Sequence, residues 1–180
     1  MTDNSTRSFS EWPLDLLVDY VLKIHHRNIR LEGPKTLAMI SALKEKVAVM
    51  DDVERHFSQS LDDLDNHFFK EENVLFPYVG DLFEASRRGQ RISPMHCGTV
   101  ANPIGVMMME HQDEQERHRR IVDLTCGYKA PAGASPGYVE VLDRLRRFAE
   151  DLDEHIHIEN DIIFPRAEQL EKEWVDGCVF

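Results

Sequence analysis

The stretch HFFKEENVLFP at residues 67–77 returns as HIHIENDIIFP at residues 155–165. In each copy a histidine stands four residues before a glutamate, and a Phe-Pro pair closes the segment at the same offset. Residues four apart on a helix share one face, so His67 and Glu71 point one way, as do His155 and Glu159. An imidazole nitrogen and a carboxylate one turn apart make half of a site for a hard or borderline metal such as iron or manganese. Two half-sites on different helices can face each other across a bundle core. Each glutamate can then bridge two metals while each histidine caps one. An ancient duplication without metal is the plainer alternative, but the repeat of both the polar pair and its apolar flanks favours two halves of a binuclear centre.

The rest of the chain is compatible with such a core. Residues 11–30 place Leu14, Leu17, Val18, Val21 and Leu22 at helical spacing behind Pro13, which a first turn tolerates. Gly33-Pro34 is expected to break or kink that helix, with a further apolar stripe running to about Met50. A third helical stretch extends from about Val53 through the first repeat to near Pro77, with a short continuation to about Ala85. Residues 86–102 read as a long loop, and Asn102-Pro103 as the cap and first residue of a helix reaching about Cys126. GYKAPAGASPG is a linker, and a last helix starts near Pro136 and continues past Pro165 toward Trp174. No window alternates as a strand would. The pattern predicts an all-α, up-down-up-down four-helix bundle with an extra or kinked segment after the first helix. It forms one domain over 1–180, its core at about 13–170.

Composition narrows the function. A net charge of −12 disfavours a nucleic-acid partner. No run approaches the length and apolarity of a membrane span, and the first residues lack a signal-peptide pattern, so a cytoplasmic location and no membrane partner are expected. The cysteines at 97, 126 and 178 are scattered without a CxxC spacing, which suits free thiols. The nine histidines are the unusual figure. His26, late in the first helix, and His111, in MMMEHQDEQERH, can complete a two-helix site from the remaining helices. His25 competes with His26, because both border the apolar face.

PLDLLVDYVLKIHHR, HFFKEENVLFP, NPIGVMMMEHQDE and HIHIENDIIFPRA, spanning residues 13–167, resemble the hemerythrin-like family in order and spacing. Within it the chain looks most like the iron-sulfur cluster repair di-iron proteins made under nitric oxide and oxidative stress. The resemblance implies terminal ligands at His26, His67, His111 and His155, bridging Glu71 and Glu159, and two irons joined by an oxo or hydroxo group. Its register favours His26 over His25. It further implies nitric oxide and oxygen as small ligands, and proteins with damaged iron-sulfur clusters as partners.

Two departures accompany the resemblance. Many repair proteins carry a small cysteine-bearing domain ahead of the bundle, whereas this sequence opens on the bundle. A fifth histidine expected between the first two ligand helices has no unambiguous counterpart; Asp51, Asp52 and His56 are candidates, or one iron keeps an open position. His56 lies eleven residues before His67, roughly 16 Å along one helix, which favours the open position. Two functions follow: redox chemistry or binding of nitrogen and oxygen species with iron donation, or an oxygen- or iron-binding, sensing or storage module without turnover. Gln115, four after His111 where oxygen carriers of the family place a histidine, favours the first.

Overall fold

The computed structural model describes residues 9–96 and 98–175. Four long helices account for most of them. Helix α1 covers 14–41 as Leu14–Tyr20, a π-helical segment Val21–His26, and Arg27–Ser41. Helix α2 covers 49–88 as Val49–Lys70, a π segment Glu71–Leu75, and Phe76–Arg88. Helix α3 is Ala101–Leu124. Helix α4 covers 136–174 as Pro136–Ile158, a π segment Glu159–Ile163, and Phe164–Trp174. A short 3₁₀ turn, Phe9–Glu11, precedes α1.

Side-chain pairs fix the up-down-up-down order. Between α1 and α2, Arg30 pairs with Glu72 and Ser41 with Glu54, so one index rises as the other falls. Between α2 and α3 the pairs are Ser60–Glu114 and Lys70–Glu110. His111 meets Asn160 between α3 and α4, and Arg144 reaches Glu32 to close the ring between α4 and α1. Every neighbouring pair is antiparallel.

The helix ends follow local chemistry. Gly89, at φ 62°, takes the left-handed conformation that stops α2, and Gln90 N–H bonds back to Ala85. Ser135 caps α4 by accepting from the Tyr138 N–H, with Pro136 at the first helical position. The buried Glu171 carboxylate accepts from Tyr78 and Thr99 hydroxyls and the Val100 N–H, tying the start of α3 to α2 and α4.

Several expected boundaries shift. Pro34 lies inside an unbroken segment, Arg27–Ser41, rather than ending it. Gly33 beside it allows close packing, since a Cβ there would stand 2.5 Å from Leu61 Cδ2. Helix α1 stops at Ser41, not near Met50, because Leu43 and Lys46 N–H groups bond three residues back in turns that reverse the chain. Helix α2 runs through Pro77 to Arg88, and α3 begins at Ala101, so Asn102 and Pro103 lie in its first turn. Cys126 is an exposed free thiol; Cys97 and Cys178 lie outside the described residues.

Two apolar clusters fill the bundle. One contains Leu14, Leu17, Val79, Leu82, Ile163 and Phe164; the other contains Ile40, Phe57, Leu64, Leu142 and Phe148. No helix among the described residues is long and apolar enough to cross a membrane.

Candidate metal centre

The two repeats form the same local structure. In each, the glutamate opens a π turn whose last bond runs from the Phe N–H to the Glu carbonyl, Phe76 to Glu71 and Phe164 to Glu159. Proline follows, at Pro77 and Pro165. Proline supplies no N–H and its ring crowds the carbonyl four residues back, and the wider turn ahead of it accommodates both. The Phe-Pro close is thus part of how each glutamate is presented. A third π segment ends at His26, whereas His111 rides on a regular α-helix.

The structure brings together all six residues singled out from the sequence. His67, His111, His155 and Glu159 form one buried group able to hold a cation, and His26, Glu71, His155 and Glu159 form another. The carboxylate oxygens sort the donors further. Glu71 places Oε2 3.4 Å from His26 Nε2 and Oε1 3.2 Å from His67 Nε2. Glu159 places Oε1 2.8 Å from His155 Nε2 and Oε2 3.1 Å from His111 Nε2. Each carboxylate therefore has one oxygen on the His26–His155 side and one on the His67–His111 side. The result is two sets of two nitrogens and two oxygens.

These donors fit a cation better than they fit each other. Both Glu71 oxygens, Glu159 Oε2 and His26 Nε2 are buried without a hydrogen-bond partner. His67 and His111 face each other with Nε2 atoms 3.0 Å apart. Burying such groups unsatisfied costs several kcal/mol in order of magnitude, and a positive ion between them removes that cost.

Outer partners orient three imidazoles. His26 Nδ1 lies 2.9 Å from Glu72, itself held by Arg30; His67 Nδ1 lies 2.9 Å from Glu110, held by Lys70; His111 Nδ1 lies 2.8 Å from the Asn160 amide oxygen. An N–H donated at Nδ1 leaves the Nε2 lone pair aimed inward. Burial works against the charges on Glu72 and Glu110, yet Arg30 and His26, and Lys70 and His67, hold both carboxyls below their ordinary range.

The field inside is negative. Burial opposes a proton on His67, but Glu71, Glu159 and Glu110 overcome it and raise the imidazole to about 9. Burial lowers the His155 imidazole below its ordinary value, against the opposing pull of Glu159. Burial also works against ionisation of Glu159, yet the facing imidazoles hold its carboxyl well below the usual range.

His25 is buried beside the centre but turns elsewhere, with Nδ1 2.8 Å from Asp151 and its ring stacked on His155. Asp51 and Asp52 are exposed, Asp52 pairing with Arg55, and His56 lines a surface groove with Glu116 and Arg120. None of the three joins either donor group. Glu72, Glu110 and Asn160 were not signalled by the sequence, where each is one polar residue among many.

A cavity of about 250 Å³ adjoins the centre, lined by His67, His111, Lys70, Glu110, Glu114 and Arg117 among others. The larger groove of about 590 Å³, beside Tyr78, Arg88 and Arg91, contains none of the six residues.

Residues 17–167 match the Hemerythrin HHE cation binding domain. The chain is 30% identical over 168 residues to the iron-sulfur cluster repair protein DnrN of Neisseria gonorrhoeae, covering 88% of this chain and 96% of that one. It is 28% identical over 168 residues to the iron-sulfur cluster repair protein YtfE of Pectobacterium carotovorum, covering 91% of this chain and 70% of the relative. The YtfE protein of Yersinia pestis is 27% identical over the same length, with 91% and 70% covered.

Proposed function

The chain belongs to the hemerythrin HHE cation-binding domain family, and we propose that it is a non-haem di-iron protein of the iron-sulfur cluster repair type. The supporting observation is the division of the two carboxylates, with one oxygen of each on either side. In this reading His26 and His155 would hold one iron, His67 and His111 the other, and Glu71 and Glu159 would serve both. When bound, the iron pair supplies ferrous–ferric redox chemistry and a place for a diatomic ligand. The protein's own residues do the rest. Glu72, Glu110 and Asn160 orient imidazoles, Phe68 stacks on His26 at 3.9 Å and shields that side from water, and the cavity gives small molecules access to the His67–His111 side.

The substrates are nitric oxide or oxygen species, and iron is donated to proteins whose clusters are damaged. The relatives' names, iron-sulfur cluster repair proteins, support action on damaged clusters. Anaerobic ferrous reconstitution followed by titration with nitric oxide and oxygen tests the first part, through shifts in the absorption spectrum. Incubation of the loaded protein with a cluster protein damaged by nitric oxide tests the second. Recovery of that protein's activity with loss of iron from this chain is expected. A centre that binds gas and never restores the cluster contradicts the repair role and fits a sensing or storage module.

A further inference from the structure

The two metal positions are related by the sequence repeat, but the protein surrounds them differently. Of the six donor residues, only His67 and His111 line the 250 Å³ cavity. His26 and His155 are fully buried and lie away from that lining, whereas His67 and His111 are 3% and 2% exposed; the Phe68 ring stacks on His26 at 3.9 Å between centroids. The cavity wall carries Asp63, Glu110, Asp113 and Glu114 against Lys70 and Arg117, an acidic excess that attracts cations. The cavity wall also holds the outer partner of His67: Glu110 lies there, shared between the imidazole and Lys70, with a third of its side chain exposed.

We infer that the centre is kinetically one-sided: divalent metal enters and leaves through the cavity at the His67–His111 position, while the His26–His155 position retains its ion. The inference rests on the two-metal reading and adds which ion is mobile. If iron is donated, this is the iron that goes first.

The test is removal of ferrous iron from the fully loaded protein by excess ferrozine, followed by absorbance. Two phases of equal amplitude are expected, the faster by at least about tenfold. His111→Ala should abolish the fast phase and leave one iron departing at the slow rate. Asn66→Lys and Asp113→Lys, both at exposed positions lining the cavity, leave the core intact and keep the test usable if His111→Ala does not fold. Each should slow the fast phase several-fold at low salt, less at high salt, and leave the slow phase unmoved. Two irons leaving in one phase overturn the inference alone, as does a fast phase indifferent to both lysine substitutions. Binding of only one iron per chain overturns it together with the two-metal reading.

Discussion

The bundle buries histidine and glutamate one helical turn apart in two kinds of place. At the centre are His67–Glu71 and His155–Glu159; deeper along α2 and α3 is Glu114–His118. Residue types, spacing and burial match, but the satisfaction of the carboxylates does not; one ring nitrogen of His118, Nδ1, is without a partner. Glu114 Oε2 accepts from the Ser60 hydroxyl at 2.7 Å and Oε1 from Arg117 at 2.9 Å, and Ser60 Oγ lies 3.1 Å from His118 Nε2. The Glu71 oxygens have no hydrogen-bond partner, although two imidazole nitrogens stand near them. Burial of His and Glu alone therefore does not mark a metal site. Convergent donors left unsatisfied by the protein do.

The largest effect should come from the carboxylates. Glu71→Ala or Glu159→Ala removes a donor from both positions and should take bound metal from two per chain to near zero. His111→Ala should retain one. Glu114→Gln should retain two, because that carboxylate already has protein partners. Metal analysis of the four variants breaks the contrast if Glu114→Gln loses metal as readily as Glu71→Ala.

Metal removal comes next. A ligand that binds only the folded state adds about 4 kcal/mol when its free concentration is a thousandfold above its dissociation constant. At about 2–4 °C per kcal/mol for a chain of this size, the metal-free protein should melt roughly 10 °C below the loaded form. Equal melting temperatures in scanning calorimetry would count against a buried centre.

The Glu114–His118 pair should reveal itself through pH. Burial, helped by the Arg117 charge, lowers His118 to about 4. The unfolded chain, with an ordinary histidine near pH 6.5, then takes up a proton first as pH falls. The contribution of a neutral His118 is therefore complete above about pH 6.5 and is lost as pH falls through about 4, up to about 3 kcal/mol in all. Burial raises the neighbouring Glu114, so its protonation in the folded state returns part of that loss. Urea melts of metal-free protein between pH 7 and 4 should show a shallower decline for His118→Gln than for the parent. Identical slopes would contradict the assignment.

A smaller effect belongs to Ser60→Ala, which leaves Glu114 Oε2 and His118 Nε2 without their shared hydroxyl. The expected cost is about 1–3 kcal/mol with the metal count unchanged. Loss of metal in that variant would mean that the two regions are coupled.

The two His–Glu pairs were legible because the HxxxE spacing appears twice on helical stretches, whereas His26 and His111 entered as partners expected from the remaining helices and from the family resemblance. His26 and His25 could not be separated by pattern, since adjacent residues both border the apolar stripe; the geometry separates them by turning His25 onto Asp151. At Pro34 the expected break is absent: the residue sits within a continuous segment, beside Gly33 packed against Leu61. The repeated Phe-Pro was visible, but its meaning depends on a π turn, which no residue type announces. Glu72, Glu110 and Asn160 escaped notice because an outer partner is defined by where its helix meets another.

The most direct measurement is the iron content of the parent chain after anaerobic ferrous loading and desalting, read beside the absorption spectrum after oxidation. Two irons per chain and a ferric charge-transfer band in the near ultraviolet are predicted. One iron or fewer after full loading would contradict a binuclear centre built from His26, His67, Glu71, His111, His155 and Glu159.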